Sequence, residues 1–144
     1  MNVIDWLLKE IPNSKITSPY GMRFHPTLKV NKLHTGTDLG GMAQYTPAPA
    51  VVDGVIIGAG YNSAWGHWVA LVDEPRITVF FYAHLHDFPV RTGQKVRQRD
   101  MVGRIGSTGY STGVHLHFEI RQSNGSGAWG GWRSHPAINP LQFF

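Results

Sequence analysis

The 144-residue sequence has no cysteine. That excludes disulfide frameworks, thiolate-bound metals and thiol nucleophiles together. It also lacks any apolar run near the roughly 20 residues that a membrane-spanning helix needs, so no membrane insertion is expected. The N-terminus shows no basic start, apolar stretch or small-residue cleavage site, so no signal peptide is read there. Charged residues are scarce, at 15%, and the net charge of +4 comes from scattered Lys and Arg. Their densest stretch, Arg91, Lys95, Arg97, Arg99 and Arg104, reads as a solvated face with at most a mild pull towards an anionic partner such as a cell envelope. With no dense basic block and no recognised binding signature, nucleic acid is not an expected partner. Hydrophobic residues at 42% are enough to bury one core, and a single domain over residues 1–144 is expected, working as a monomer or within a larger protein.

What the sequence has in quantity is glycine (17) and proline (9), punctuating short runs of Val, Ile, Phe and Tyr. That pattern predicts a mainly β fold, a compact antiparallel sheet. The predicted strands are Ala50–Ile57, Gly66–Val72, Ile77–Leu85, Met101–Ile105 and Val114–Arg121, the second and third joined as a hairpin across Asp73–Arg76. Before them, Asn2 is placed to cap a short helix whose Val3, Ile4, Leu7, Leu8 and Ile11 share one face and which Pro12 ends. Residues 1–15 thus form an N-terminal helical extension. Residues 123–132 (SNGSGAWGGW) keep no periodicity and read as a loop.

Three segments carry chemistry. Val114–Ile120 alternates without a break, so a strand there puts His115, His117 and Glu119 on one face and Leu116, Phe118 and Ile120 on the other. In His34-Thr35-Gly36-Thr37-Asp38, an imidazole and a carboxylate stand four apart in a stretch that favours extended backbone. In Phe81–His86, parity puts Tyr82, His84 and His86 on one face of a strand. One His–Asp pair plus one strand histidine supplies the three protein ligands of a hydrolytic zinc site, which keeps its fourth position open. Two further histidines are then available for proton transfer. Parity leaves open which of His115 and His117 is the ligand.

These segments, with Gly21-Met22-Arg23-Phe24-His25-Pro26 before them and Gly106–Glu119 (GSTGYSTGVHLHFE) at the close, resemble the lysostaphin (LytM)-type peptidoglycan endopeptidases, the M23 peptidases. The likeness runs from about Ile16 to Leu141. It implies one Zn2+ per chain held by His34, Asp38 and His117, with His84 and His115 as the catalytic pair. It also implies an antiparallel sheet with a loop-walled groove, a catalytic core over residues 16–141, and bacterial peptidoglycan as the substrate, met outside the cytoplasm or in the periplasm. The GxRxHP opening is similar to the branch that cuts D-Ala-containing cross-links rather than Gly–Gly bridges. Together with the missing signal peptide, the resemblance fits a phage lysin, a virion protein or a domain of a longer envelope protein. Departures, Tyr45 and Arg97–Asp100, fall in turns. The alternative is a catalytically silent wall-binding or regulatory module on the same scaffold; loss of one of these five residues would favour it, and none is lost.

Arg23, His25 and Tyr82 are read as lining the substrate groove, against a structural role for Arg23 and His25 and a packed aromatic for Tyr82. Glu119 is read either as orienting a ligand or as facing solvent, and His67, His86 and His135 as surface histidines. The serine-hydrolase pattern G-x-S-x-G at residues 109–113 is rejected, because that motif needs a helix after it and here a strand follows.

Overall fold

The computed structural model describes residues 2–25, 29–111, 113–122, 132 and 135–143. The Asn2 side chain accepts a 2.9 Å hydrogen bond from the Asp5 N–H and caps helix α1 (Val3–Glu10). Val3, Ile4, Leu7 and Ile11 recur at helical spacing and are fully buried, so the helix is held by its apolar face rather than by propensity.

The strands follow as β1 (Lys15–Ser18), β2 (Gly21–His25), β3 (Val30–His34), β4 (Thr37–Gly40), β5 (Pro47–Pro49), β6 (Gly54–Asn62), β7 (Gly66–Asp73), β8 (Thr78–Asp87), β9 (Lys95–Val96), β10 (Met101–Ile105), β11 (Leu116–Gln122) and β12 (Ala137–Ile138). Ten of them form one antiparallel sheet in the order β1-β4-β11-β8-β7-β6-β9, with β12 beside β11 and β10 joining β8 to β5. β2 and β3 make a separate hairpin. The fold is the mainly β architecture that the glycine-punctuated runs predict.

One face of the sheet packs Phe80, Tyr82, Leu85, Leu116, Phe118 and Ile120 against the helix. The other packs Ala70, Val72, Val79, Phe81 and Ala83 against Trp132. Because β8 is covered on both sides, every residue from Thr78 to Leu85 is buried, and its sequence reads as a continuous run instead of an alternation.

Two expectations fail here. Residues 50–53 of the predicted strand 50–57 are a turn between β5 and β6. The Val51 N–H donates to the Tyr82 hydroxyl (3.1 Å), and Asp53 accepts from the Gln98 N–H (2.7 Å), so side chains take the place of ladder bonds. Its apolar run signalled burial, not strand. The second failure is Tyr82. It is 0% exposed, and its hydroxyl donates to the Pro49 carbonyl at 2.9 Å, so it belongs to the core and does not line the groove. Parity misled because β8 bulges: Leu85 pairs with His67 and Tyr82 with Val69, leaving Ala83 and His84 together opposite Trp68. His84 takes a φ of 61°, a rare conformation for a non-glycine residue, and the strand changes face there. Tyr82→Phe leaves a buried N–H and a buried carbonyl short of a partner. It should lower unfolding free energy by about 2 kcal/mol in denaturant titration.

Candidate metal centre

Alternation along β11 sends His117 and Glu119 to the face away from the helix. The register sets His117 opposite Asp38 of β4 and Ala83 of β8. Directly opposed residues in a sheet are close enough for side chains to meet, and His117 Nδ1 stands 2.8 Å from Asp38 Oδ1.

His34 reaches the same point from the hairpin. It ends β3, and the chain turns through Thr35 and Gly36 before β4 begins. The His34–Asp38 segment is therefore a junction between the hairpin and the sheet, not the single extended stretch expected. Gly36 is what permits it: a Cβ there would meet the Phe118 carbonyl oxygen at 2.5 Å and His117 Cε1 at 2.9 Å. The junction lies flat on β11, and any side chain would lift His34 away.

The ligand atoms of His34, Asp38 and His117 all lie within 4.8 Å of one another. Their hydrogen bonds also prepare them. His34 Nδ1–H donates to the Pro19 carbonyl at 2.9 Å, so Nε2 keeps its lone pair, 3.5 Å from Asp38 Oδ2. His117 Nε2–H donates to Glu119 Oε1 at 2.8 Å, which leaves Nδ1 for the Asp38 side. Glu119 is 2% exposed and also accepts from the Thr35 hydroxyl (2.6 Å) and Arg121 Nε (2.9 Å). This carboxylate is a support behind a ligand histidine, not a solvent-facing group. Two imidazole nitrogens and a carboxylate oxygen converging this way are the donor set of an open, hydrolytic metal site.

Charge follows the same geometry. Burial opposes a proton on His117, but hydrogen bonds to Asp38 and Glu119 prevail and raise its pKa to about 9. Burial likewise opposes the charge of Asp38, yet bonds from His117 and His34 hold its carboxyl well below the usual range.

His84 and His115 stand beside this group, not in it. Their rings are 4.7 Å apart, and the His84 ring is 6.2 Å from that of His117. His84 Nδ1–H donates to the Thr108 carbonyl (2.7 Å), and His115 Nδ1–H points to the Gly113 carbonyl (2.9 Å) and the Ser111 hydroxyl (3.1 Å). Each Nε2 is thus left to accept a proton. Burial lowers the pKa of His84, with the Thr108 bond opposing and the nearby His115 and His117 adding to the effect, so its imidazole is neutral at neutral pH.

The loop after β10 holds both rings. Thr108 Oγ1 donates to the Leu85 carbonyl and accepts the His67 N–H at 3.1 Å, while Tyr110 N–H reaches the Ala64 carbonyl at 3.0 Å. Ser111 accepts from Ser107 (3.0 Å) and donates to Gly113 (2.7 Å), leaving its oxygen to receive His115 Nδ1–H. Ser111→Ala should cut kcat about 3- to 10-fold with KM little changed in steady-state assays, the worth of one hydrogen bond of about 1 kcal/mol.

The centre lies along a cleft. Lys32, Leu33, Thr35, Trp65 and His84 border one half. Thr17, Gly40, Gly41, Gly113, Val114 and His115 border the other. Arg23 and His25 belong to β2, where backbone register pairs Arg23 with Lys32 and His25 with Val30; their side chains lie outside the described part. His135, expected on the surface, is 8% exposed, and its carbonyl accepts from Arg121 at 3.1 Å. Sequence reasoning did not single out Thr35, Thr108, Arg121 or Lys32, and met Ser111 only as a rejected nucleophile. The signal for Lys32 was its spacing of two from His34 on a strand. The others contact the site through loop or ladder geometry that spacing does not encode.

The chain matches the family model Peptidase family M23 over residues 32–129. It is 42% identical over 108 residues to the DD-carboxypeptidase/endopeptidase Mpg of Neisseria meningitidis serogroup B, a match covering 75% of this chain and 24% of that protein. This chain therefore spans about a quarter of that curated relative's length. Among solved structures, the catalytic domain of lysostaphin from Staphylococcus simulans superposes with a TM-score of 0.75 at 28% identity, covering 98% of this chain and 96% of that one. A zinc-containing peptidase from Vibrio cholerae superposes with a TM-score of 0.69 at 30% identity, covering 74% and 32% respectively. Matching the family model over residues 32–129 and a solved peptidase domain over nearly all of its length, the chain belongs to the M23 peptidase family.

Proposed function

We propose that the chain is a zinc-dependent endopeptidase that hydrolyses peptide bonds in the cross-links or stem peptides of bacterial peptidoglycan, on the cell wall outside the cytoplasm. The observation that carries this reading is the convergence of His34, Asp38 and His117 within 4.8 Å, with the His84–His115 pair alongside. Mpg, by name a DD-carboxypeptidase/endopeptidase, and the peptidoglycan DD-endopeptidase ShyC of Vibrio cholerae, 37% identical over 98 residues, support it.

The donor set suits zinc, which when bound acidifies water and polarises the scissile carbonyl. His34, Asp38 and His117 would hold the ion, and Glu119 fixes the His117 ring. His84 and His115 share two proton tasks: one Nε2 takes the proton of the attacking water, and the other, once protonated, donates to the oxygen or amine on which charge develops. Because burial keeps His84 neutral, it accepts a proton near pH 7. Activity then falls as the pH drops through the titration of His84. Residues 16–141 form the catalytic core, with Arg23 and His25 as substrate contacts.

The test is digestion of purified peptidoglycan of several cross-bridge types, with and without a chelator, followed by mass spectrometry. Chelator-sensitive release of new amino termini is expected. Intact walls of every type from a zinc-loaded protein would leave a binding module as the better reading.

A further inference from the structure

The cleft is asymmetric in charge. The two carboxylates that border the metal centre are already engaged: Asp38 faces His34 and His117, and Glu119 faces His117, Thr35 and Arg121. Lys32 borders the same half as His34, His84 and His117. It is exposed, and among the described residues no carboxylate pairs with it. Among the residues bordering the other half none is cationic apart from what His115 gains on protonation.

Position gives the charge a meaning. Lys32 and His34 are two apart on β3 and so share a face, with Cα atoms about 7 Å apart. That is also the span of two residues of extended peptide. Lys32 borders the cleft, and a lysine side chain is long enough to bring its ammonium within one or two residues of a bond held at the centre. Trp65 borders the same half, and its indole displaces water there and strengthens a charge pair.

We propose that Lys32 is a specificity residue that selects peptides carrying a free carboxylate one or two residues from the scissile amide, seated on the His84 side of the cleft. This rests on the peptidase reading above. A cross-link whose acylated amine belongs to a diamino dicarboxylic acid carries such a carboxylate; a polyglycine bridge does not. Charge then turns the substrate one way across the centre, because among the described bordering residues only this half has a lysine or arginine to receive it. A lysine that is merely solvated makes the opposite prediction, with no discrimination by charge.

The experiment compares two synthetic cross-linked peptides that differ only in whether the residue beside the scissile amide ends in a carboxylate or a primary carboxamide. The readout is the ratio of kcat/KM for the two within each variant of the full chain. The unaltered chain should favour the carboxylate roughly tenfold, the worth of one charge-assisted hydrogen bond at a partly exposed site. Lys32→Ala should bring the ratio near one, Lys32→Glu should invert it, and Lys32→Arg should restore most of it. Bound zinc, measured in each variant, shows that the centre survives. A ratio near one in the unaltered chain, or a preference that persists in Lys32→Glu, would overturn the proposal. If the unaltered, zinc-loaded chain cut neither peptide and no wall, the peptidase reading itself would fall, which is a separate result.

Discussion

His117→Ala should lose both bound zinc and activity, whereas His115→Ala should keep the zinc and lose activity. The two residues sit two apart and share sequence character, yet the fold sends them to different neighbours. His117 enters the sheet opposite Asp38 and is anchored from behind by Glu119. His115 pairs only through an isolated bridge to Gly106, and its ring turns to His84, 4.7 Å away. Removing a ligand empties a three-ligand site, because two donors hold the ion far less firmly than three. Removing a proton-transfer group leaves all three donors in place and costs on the order of 100- to 10,000-fold in rate. Metal analysis beside wall-digestion rates separates the cases. If His115→Ala emptied the site instead, the ligand assignment would be wrong.

Zinc binding should expel about one proton at pH 7, and affinity should rise about tenfold per pH unit until it levels near pH 9. Both ring nitrogens of His117 stand 2.8 Å from carboxylate oxygens, an arrangement that only the imidazolium satisfies with two N–H donors. Its pKa of about 9 places that proton on the ring throughout the neutral range. A metal at Nδ1 must displace it, while Nε2–H stays on Glu119. The same pKa sets how stability of the zinc-free protein varies with pH. A folded-state value raised from 6.5 to about 9 contributes stability that is complete below pH 6.5 and is lost as the pH climbs through 9. Asp38 acts in the other direction: its lowered pKa contributes stability present above about pH 4 and lost in stronger acid. Zinc-free protein should therefore resist denaturant best between about pH 4 and 6.5, with zinc moving the optimum upward. Calorimetric titration in buffers of different ionisation enthalpy measures the proton; denaturant titration across pH measures the rest. Zinc binding without proton release would show that the His117 ring does not carry the extra proton in the zinc-free protein.

The parts of the site that the sequence made legible are those written at a fixed spacing on regular backbone. The alternation from Leu116 to Ile120 placed His117 correctly, and placed Glu119 beside it, though not its three partners. The capped helix at Val3–Glu10 and strands such as Met101–Ile105 were readable for the same reason. Spacing failed where the backbone departs from its period. The bulge at Ala83–His84 put Tyr82 in the core and His84 in the cleft, against parity. The two-residue strands β9 and β12 are too short to show any period. Lys15–Ser18 and Val30–His34 are mostly exposed and carry little apolar signal, so β1 and β3 went unread. The junction at Gly36 depends on the carbonyl of Phe118, a contact between residues far apart in sequence. What resemblance to a family added was the division of labour between His115 and His117, which residue type and parity left undecided.

The most direct test of the account is to titrate zinc-free protein with zinc while following both bound metal and release of amino termini from peptidoglycan. The account predicts no release at zero zinc and a linear rise that breaks at one equivalent per chain. Wall cleavage that persists in protein shown to be free of metal, or zinc bound at one equivalent with every wall type left intact, would contradict it.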